Sequence, residues 1–76
     1  MKNDGDTPDY NGIRCRILKL RAKRGLTQEK FAEATGLTSR GLSAIETGTK
    51  NPGGITWFRI AKNLGVSLDS LVFGDC

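Results

Sequence analysis

Reacting chemistry is scarce in this sequence. Histidine is absent, and the two cysteines, Cys15 and Cys76, have no metal-ligand spacing, so zinc sites and imidazole acid–base catalysis drop out as designs. No nucleophile–base pair takes their place, so an enzyme is not expected, and neither is a cofactor. What remains is hydrogen-bonding chemistry. Within residues 26–48, Ser39, Arg40, Ser43, Ala44 and Thr47 fall on one side of a helical wheel, while Leu42 and Ile45 fall on the other. The inner side is apolar; the outer side is small and polar around a single arginine.

Two short helices and a tight turn must hold that face. Thr27 carries a hydroxyl suited to accept from a free N–H of a first turn, and Phe31, Ala32 and Thr35 follow at helical spacing, which predicts a helix of about two turns. Gly36 ends it, Leu37 supplies an apolar anchor, and Thr38 is placed to cap the second helix. Gly48 ends that helix, and Thr49, Lys50 and Asn51 follow as an exposed loop before Pro52. A helix, a glycine-containing turn and a second helix make the helix-turn-helix unit, which can set its second helix in a DNA major groove. Any αα-hairpin shares that geometry, and spacing by itself leaves both readings open.

Flanking segments supply the rest of a core. Residues 11–24 predict a helix with Ile13, Ile17 and Leu20 on the core face and Gly25 as its stop. Cys15, Leu18 and Ala22 cluster nearly opposite, either as scattered small apolar residues or as a patch for a partner. After Gly53 and Gly54, residues 55–64 place Trp57, Ile60, Ala61 and Leu64 at helical spacing, with Phe58 at the margin and Trp57 expected to bury the most apolar area. Gly65 stops this helix, Val66 packs in the turn, and Ser67 caps a last short helix with Leu68, Leu71 and Phe73 inward. The expectation is an all-α fold of five helices.

A chain of 76 residues is one domain, and 37% hydrophobic content spread along it supports a core. No apolar run approaches the roughly 20 residues of a membrane span, and no signal pattern opens the chain, so the cytoplasm is the expected location and both thiols are expected reduced. The net charge of +4 is uneven. Residues 1–10 set Lys2 against Asp4, Asp6 and Asp9, a net of −2 that leaves +6 for the remainder, and they read as a mobile acidic tail before a domain of residues 11–76. Arg14, Arg16, Lys19, Arg21, Lys23 and Arg24 follow without an intervening acid, a basic body suited to a polyanion.

Residues 13–71 also resemble the phage-repressor and Cro type of helix-turn-helix domain, the Xre or lambda-repressor-like family. The landmarks are Leu26-Thr27-Gln28, Ala32, Gly36-Leu37-Thr38, Leu42-Ser43, Ile45-Glu46, Gly48, Asn51-Pro52, Ile60-Ala61, and Leu64 to Asp69 with Leu71, in register without a gap. The resemblance implies a compact five-helix domain with the helix-turn-helix at its second and third helices, and base-facing positions at Ser39, Arg40, Ser43 and Ala44. Arg40 would lead, since its planar fork can bond guanine O6 and N7 together. Gln28 resembles the family's phosphate-contacting glutamine, and Thr27, Thr38, Thr47, Thr49, Lys50 and Asn51 are further phosphate candidates. Arg21 and Glu46 match positions that form an ion pair, and Leu68, Val72 and Phe73 match a dimer-forming last helix.

The function so implied is a sequence-specific regulator of transcription that binds double-stranded DNA, a homodimeric repressor on a palindromic operator of the phage, restriction-modification or antitoxin type. The alternative is a protein-interaction module of the same fold, binding a toxin or RNA polymerase. Three positions depart from the pattern. Gly41 stands inside the reading helix, Lys30 replaces a capping-box glutamate, and Gly54 replaces a core leucine whose space Ile55 or Trp57 would fill.

Overall fold

Asp9 starts the fold. Its carboxylate accepts from the Gly12 N–H at 3.1 Å, one of the donors that a helix start leaves unpaired, so α1 runs Tyr10–Lys23, one residue earlier than the apolar periodicity marks. The computed structural model describes residues 9–74, and the acidic tail expected over residues 1–10 lies, up to residue 8, outside the described residues. Thr27, Thr38 and Ser67 cap α2 (Gln28–Thr35), α3 (Ser39–Thr47) and α5 (Leu68–Phe73), each hydroxyl accepting from a backbone N–H in the first turn. Between them α4 (Gly54–Leu64) follows Gly53 without a side-chain cap. The fold is all-α, with no strand among the described residues.

Ile13 and Ile17, one turn apart on α1, meet Phe31 and Ala32 of α2, Leu42 and Ile45 of α3, Ile60 of α4 and Leu71 of α5 in one buried cluster. Phe31 leads this core rather than Trp57. Ile60 occupies the centre of the inward stripe of α4, and Trp57 lies half-buried beside it. A fully buried large apolar side chain such as Phe31 contributes about 1.5–3 kcal/mol. The one buried polar side chain among the described residues, Thr35, donates its hydroxyl to the Phe31 carbonyl at 2.8 Å and so carries no unpaired group into the core.

Three expectations fail at the periphery. In α5 only Leu71 turns fully inward, with Val72 half-buried, while Leu68 and Phe73 are exposed, because six residues present a single inward row. Gly54 is not a core position: it is the first residue of α4, a Cβ there would meet nothing within 4 Å, and Ile55 points to solvent at 70% exposure. Cys15 does not carry the expected reduced thiol; it is disulfide-bonded. The segment after α5 passes α1 at this level, since Arg16 donates to the carbonyls of Leu71, Val72 and Gly74. Cys76 lies outside the described residues.

Arginines bind the helix ends together. Besides the Arg16 contacts at the end of α5, Arg59 donates to the Gly36 carbonyl after α2 at 2.9 Å, Arg14 to the Ile45 carbonyl of α3 at 2.8 Å, and Arg24 to the Leu64 carbonyl of α4 at 2.8 Å. Each places a cation where a helix exposes unpaired carbonyls and negative dipole. Much of the basic run on α1 thus faces inward, where the sequence had it as polyanion-directed charge.

Candidate nucleic-acid interface

α3 presents the face that the wheel predicts. Leu42 and Ile45 are buried, Ser39 and Arg40 are exposed, and Ser43 and Ala44 are half-buried beside them. Gly36, at φ 77°, turns the chain out of α2 with its N–H and that of Leu37 both on the Ala32 carbonyl, so α3 starts within three residues. The two helices pack on each other, α2 also on α4, and α1 on both α3 and α5. Gly41 finds its reason here. A Cβ would stand 2.9 Å from the Oγ1 of Thr38, the atom that accepts the Gly41 N–H.

A polar network holds α3 from behind. The Arg21 Nε donates to Glu46 Oε2 at 2.7 Å and its Nη2 to Oε1 at 3.1 Å, and Gln28 Nε2 donates to the same Oε1 at 2.8 Å. The third arm of Arg21 reaches the Leu26 carbonyl at 3.0 Å. With its side chain only 4% exposed, Glu46 is a desolvated carboxylate whose oxygens are both satisfied, the condition under which a buried pair is tolerated. Arg21 and Glu46 therefore meet as a bidentate pair joining α1 to α3. Gln28 spends one amide proton inward on Glu46 and keeps the other.

Flanking hydroxyls divide by how their protons are spent. Thr27 accepts from the Lys30 N–H and Thr38 from the Gly41 N–H, so each keeps its own hydroxyl proton free to donate. Thr47 donates to the Ser43 carbonyl at 2.9 Å and stands 3.1 Å from the Thr49 hydroxyl, which turns this pair onto the helix. Lys50 and Asn51 are exposed in the loop that follows, where the N–H groups of Thr49 and Lys50 both donate to the Ala44 carbonyl. All six arginines of the chain lie among the described residues, and five make hydrogen bonds within the protein. Arg40 is the sixth, exposed and unspent.

Sequence reasoning misses Arg14 and the inward bond of Gln28. One signal was available: Arg14 and Arg21 are seven residues apart and so share one side of α1, the side toward α3.

The Helix-turn-helix family model matches residues 17–71. A helix-turn-helix-type transcriptional regulator of Sinorhizobium fredii, y4dJ, is 43% identical over 54 residues, which span 71% of this chain and 70% of the relative. Among solved structures, the P22 c2 repressor in complex with a synthetic operator superposes with a TM-score of 0.70 at 27% identity, covering 83% of this chain and 96% of that one. The restriction-modification controller protein C.AhdI of Aeromonas hydrophila gives the same TM-score and identity over 78% of this chain and 89% of that one. Carrying the turn, the bidentate Arg21–Glu46 pair and this register of helices, the chain belongs to the Xre or lambda-repressor-like family of helix-turn-helix DNA-binding transcriptional regulators.

Proposed function

We propose that the protein is a sequence-specific, homodimeric repressor that binds a short palindromic operator in the cytoplasm. The observation that carries this reading is Arg40, exposed on the outward face of α3 and the one arginine without a hydrogen bond among the described residues. Its guanidinium bonds guanine O6 and N7, Ser39 and Ser43 offer weaker hydroxyl contacts, and Ala44 offers a methyl contact, for instance to thymine. Thr27, Thr38, Lys50 and Asn51 bond phosphates on either side, with the remaining amide proton of Gln28, while Thr47 and Thr49 contribute less because their hydroxyls bond each other.

Two copies joined through Leu68, Phe73 and the half-buried Val72 would present two α3 helices to successive major grooves about 34–36 Å apart, and occupancy would block polymerase. The c2 repressor's operator complex and the restriction-modification role of C.AhdI support this class. Selection of bound sequences from random duplex DNA tests the whole reading. A palindrome with half-sites one helical turn apart is the expected product. Failure to enrich any sequence would overturn it in favour of a fold-sharing module that binds a protein such as a toxin or RNA polymerase.

A further inference from the structure

Arg14 sits two turns before Arg21 on the side of α1 that faces α3, and it reaches the backbone of Ile45, the residue before Glu46. Its Nε donates to the Ile45 carbonyl at 2.8 Å and its Nη1 to the Asn11 side-chain oxygen, so the guanidinium is fixed from both sides. The plane lies against Gly48. A Cβ on that residue would stand 3.6 Å from the Arg14 Cζ and 3.7 Å from its Nε, and Gly48 itself is in the left-handed region at φ 85°. Ile45 also accepts from the Gly48 N–H, and directly beyond, the Thr49 and Lys50 N–H groups converge on the Ala44 carbonyl. The Ile45 carbonyl in the last turn of α3 and Gly48, which opens the loop carrying Lys50 and Asn51, thus rest on one side chain from another helix.

We infer that Arg14 is a positioning residue for DNA docking: it clamps the C-terminal end of α3 and sets the loop of residues 48–51 against the operator backbone. Arg21 and Glu46 anchor one flank of α3, and Arg14 stops its end from fraying. The two arginines meet neighbouring residues, Arg21 the Glu46 side chain and Arg14 the Ile45 backbone, so together they fix the last turn of α3 and the start of the loop that carries Lys50. The charge of Arg14 acts on the helix dipole and not on a phosphate, which separates it from Lys50. This inference rests on the DNA-binding reading above.

The test compares the full chain with Arg14→Met, Arg14→Lys and Asn11→Ala variants, using the selected operator, a random duplex and a series of salt concentrations. Arg14→Met should weaken operator binding roughly tenfold, on the scale of one lost base contact, and random-duplex binding by no more than about twofold. Its salt slope should stay at the wild-type value, whereas Lys50→Ala lowers the slope by about 0.9. Amide exchange at Thr49 and Lys50 should quicken by roughly tenfold while Phe31 and Ile60 keep their protection, a local opening that general destabilisation does not mimic. Asn11→Ala, at an exposed residue, should shift both readouts in the same direction by less, and serves if Arg14→Met does not fold. Arg14→Lys keeps the charge without the two-sided geometry and should recover only part of the affinity.

Equal losses on both duplexes with a lowered slope would make Arg14 a phosphate contact and overturn the inference. Full recovery with lysine, or unchanged exchange at Thr49 and Lys50, would overturn it as well. If the wild-type chain selects no sequence, the DNA reading fails, while the exchange measurement still decides whether Arg14 clamps α3.

Discussion

Among the described residues Arg40 makes no hydrogen bond or ion pair, and this separates it from the other five arginines. Arg14, Arg16, Arg24 and Arg59 end on helix carbonyls and Arg21 on a carboxylate, so their loss would act first on the fold. Arg40→Ala should leave unfolding unchanged and weaken binding to the selected operator by about 1–3 kcal/mol, with relaxed preference at one base pair. Anisotropy titrations on operator and random duplex check it; an equal loss on both would mark a phosphate contact instead. At this scale the sequence is informative where a role depends on a side chain's place on a wheel, as for Arg40, Leu42 and Ile45. It is silent on the arginine caps because their acceptors are backbone carbonyls, which every residue carries and which only the arrival of one helix end beside another singles out.

Among the elements, α3 is divided lengthwise. Its buried side and both ends are tied down through Leu42, Ile45, Glu46 and the Thr38 cap, while the side chains of Ser39, Arg40 and Ser43 make no hydrogen bond among the described residues. Gly41 sits at the junction and yields a test. Alanine in a helix interior normally gains about 1 kcal/mol over glycine, but here the added Cβ meets the Thr38 hydroxyl at 2.9 Å. Gly41→Ala should therefore stabilise little by itself and recover the full gain of about 1 kcal/mol in a Thr38→Ala background. Denaturant unfolding of the two singles and the double measures the coupling, and additive effects would refute the contact. The boundaries of α2 and α3 are legible because threonine caps and glycine stops have local chemistry. The facing of α5 is not, since six residues are too few for periodicity to choose between Leu68, Leu71 and Phe73.

Considered as a whole, the molecule is lopsided. Among the described residues, the exposed large apolar side chains, Ile55, Phe58, Leu68 and Phe73, all lie on α4 and α5, and none lies on α1, α2 or α3. Ile55 and Phe58 were expected at or near the core, and Lys62 shields one of them, its ammonium 5.9 Å from the Phe58 ring centre. The proposed joining of two copies through α5 would cover Leu68 and Phe73. A Leu68→Glu, Phe73→Glu double variant should sediment as a monomer, keep its helical content and lose roughly 100-fold in operator affinity, the lower range of what linking two binding modules contributes. Wild-type protein that sediments as a monomer at every concentration, free and on DNA, would refute the dimer.

The lengthwise division of α3 also bears on how such a protein could change its target. The side chains at positions 39, 40, 43 and 44 form no cap and no ion pair, and 39 and 40 are exposed, so on the proposed DNA-binding reading a new operator preference would be reachable by substitutions that leave the Thr38 cap and the Arg21–Glu46 pair intact. On that reading recognition and stability would draw on largely separate side chains within one nine-residue helix, which leaves the first free to diverge while the second stays put.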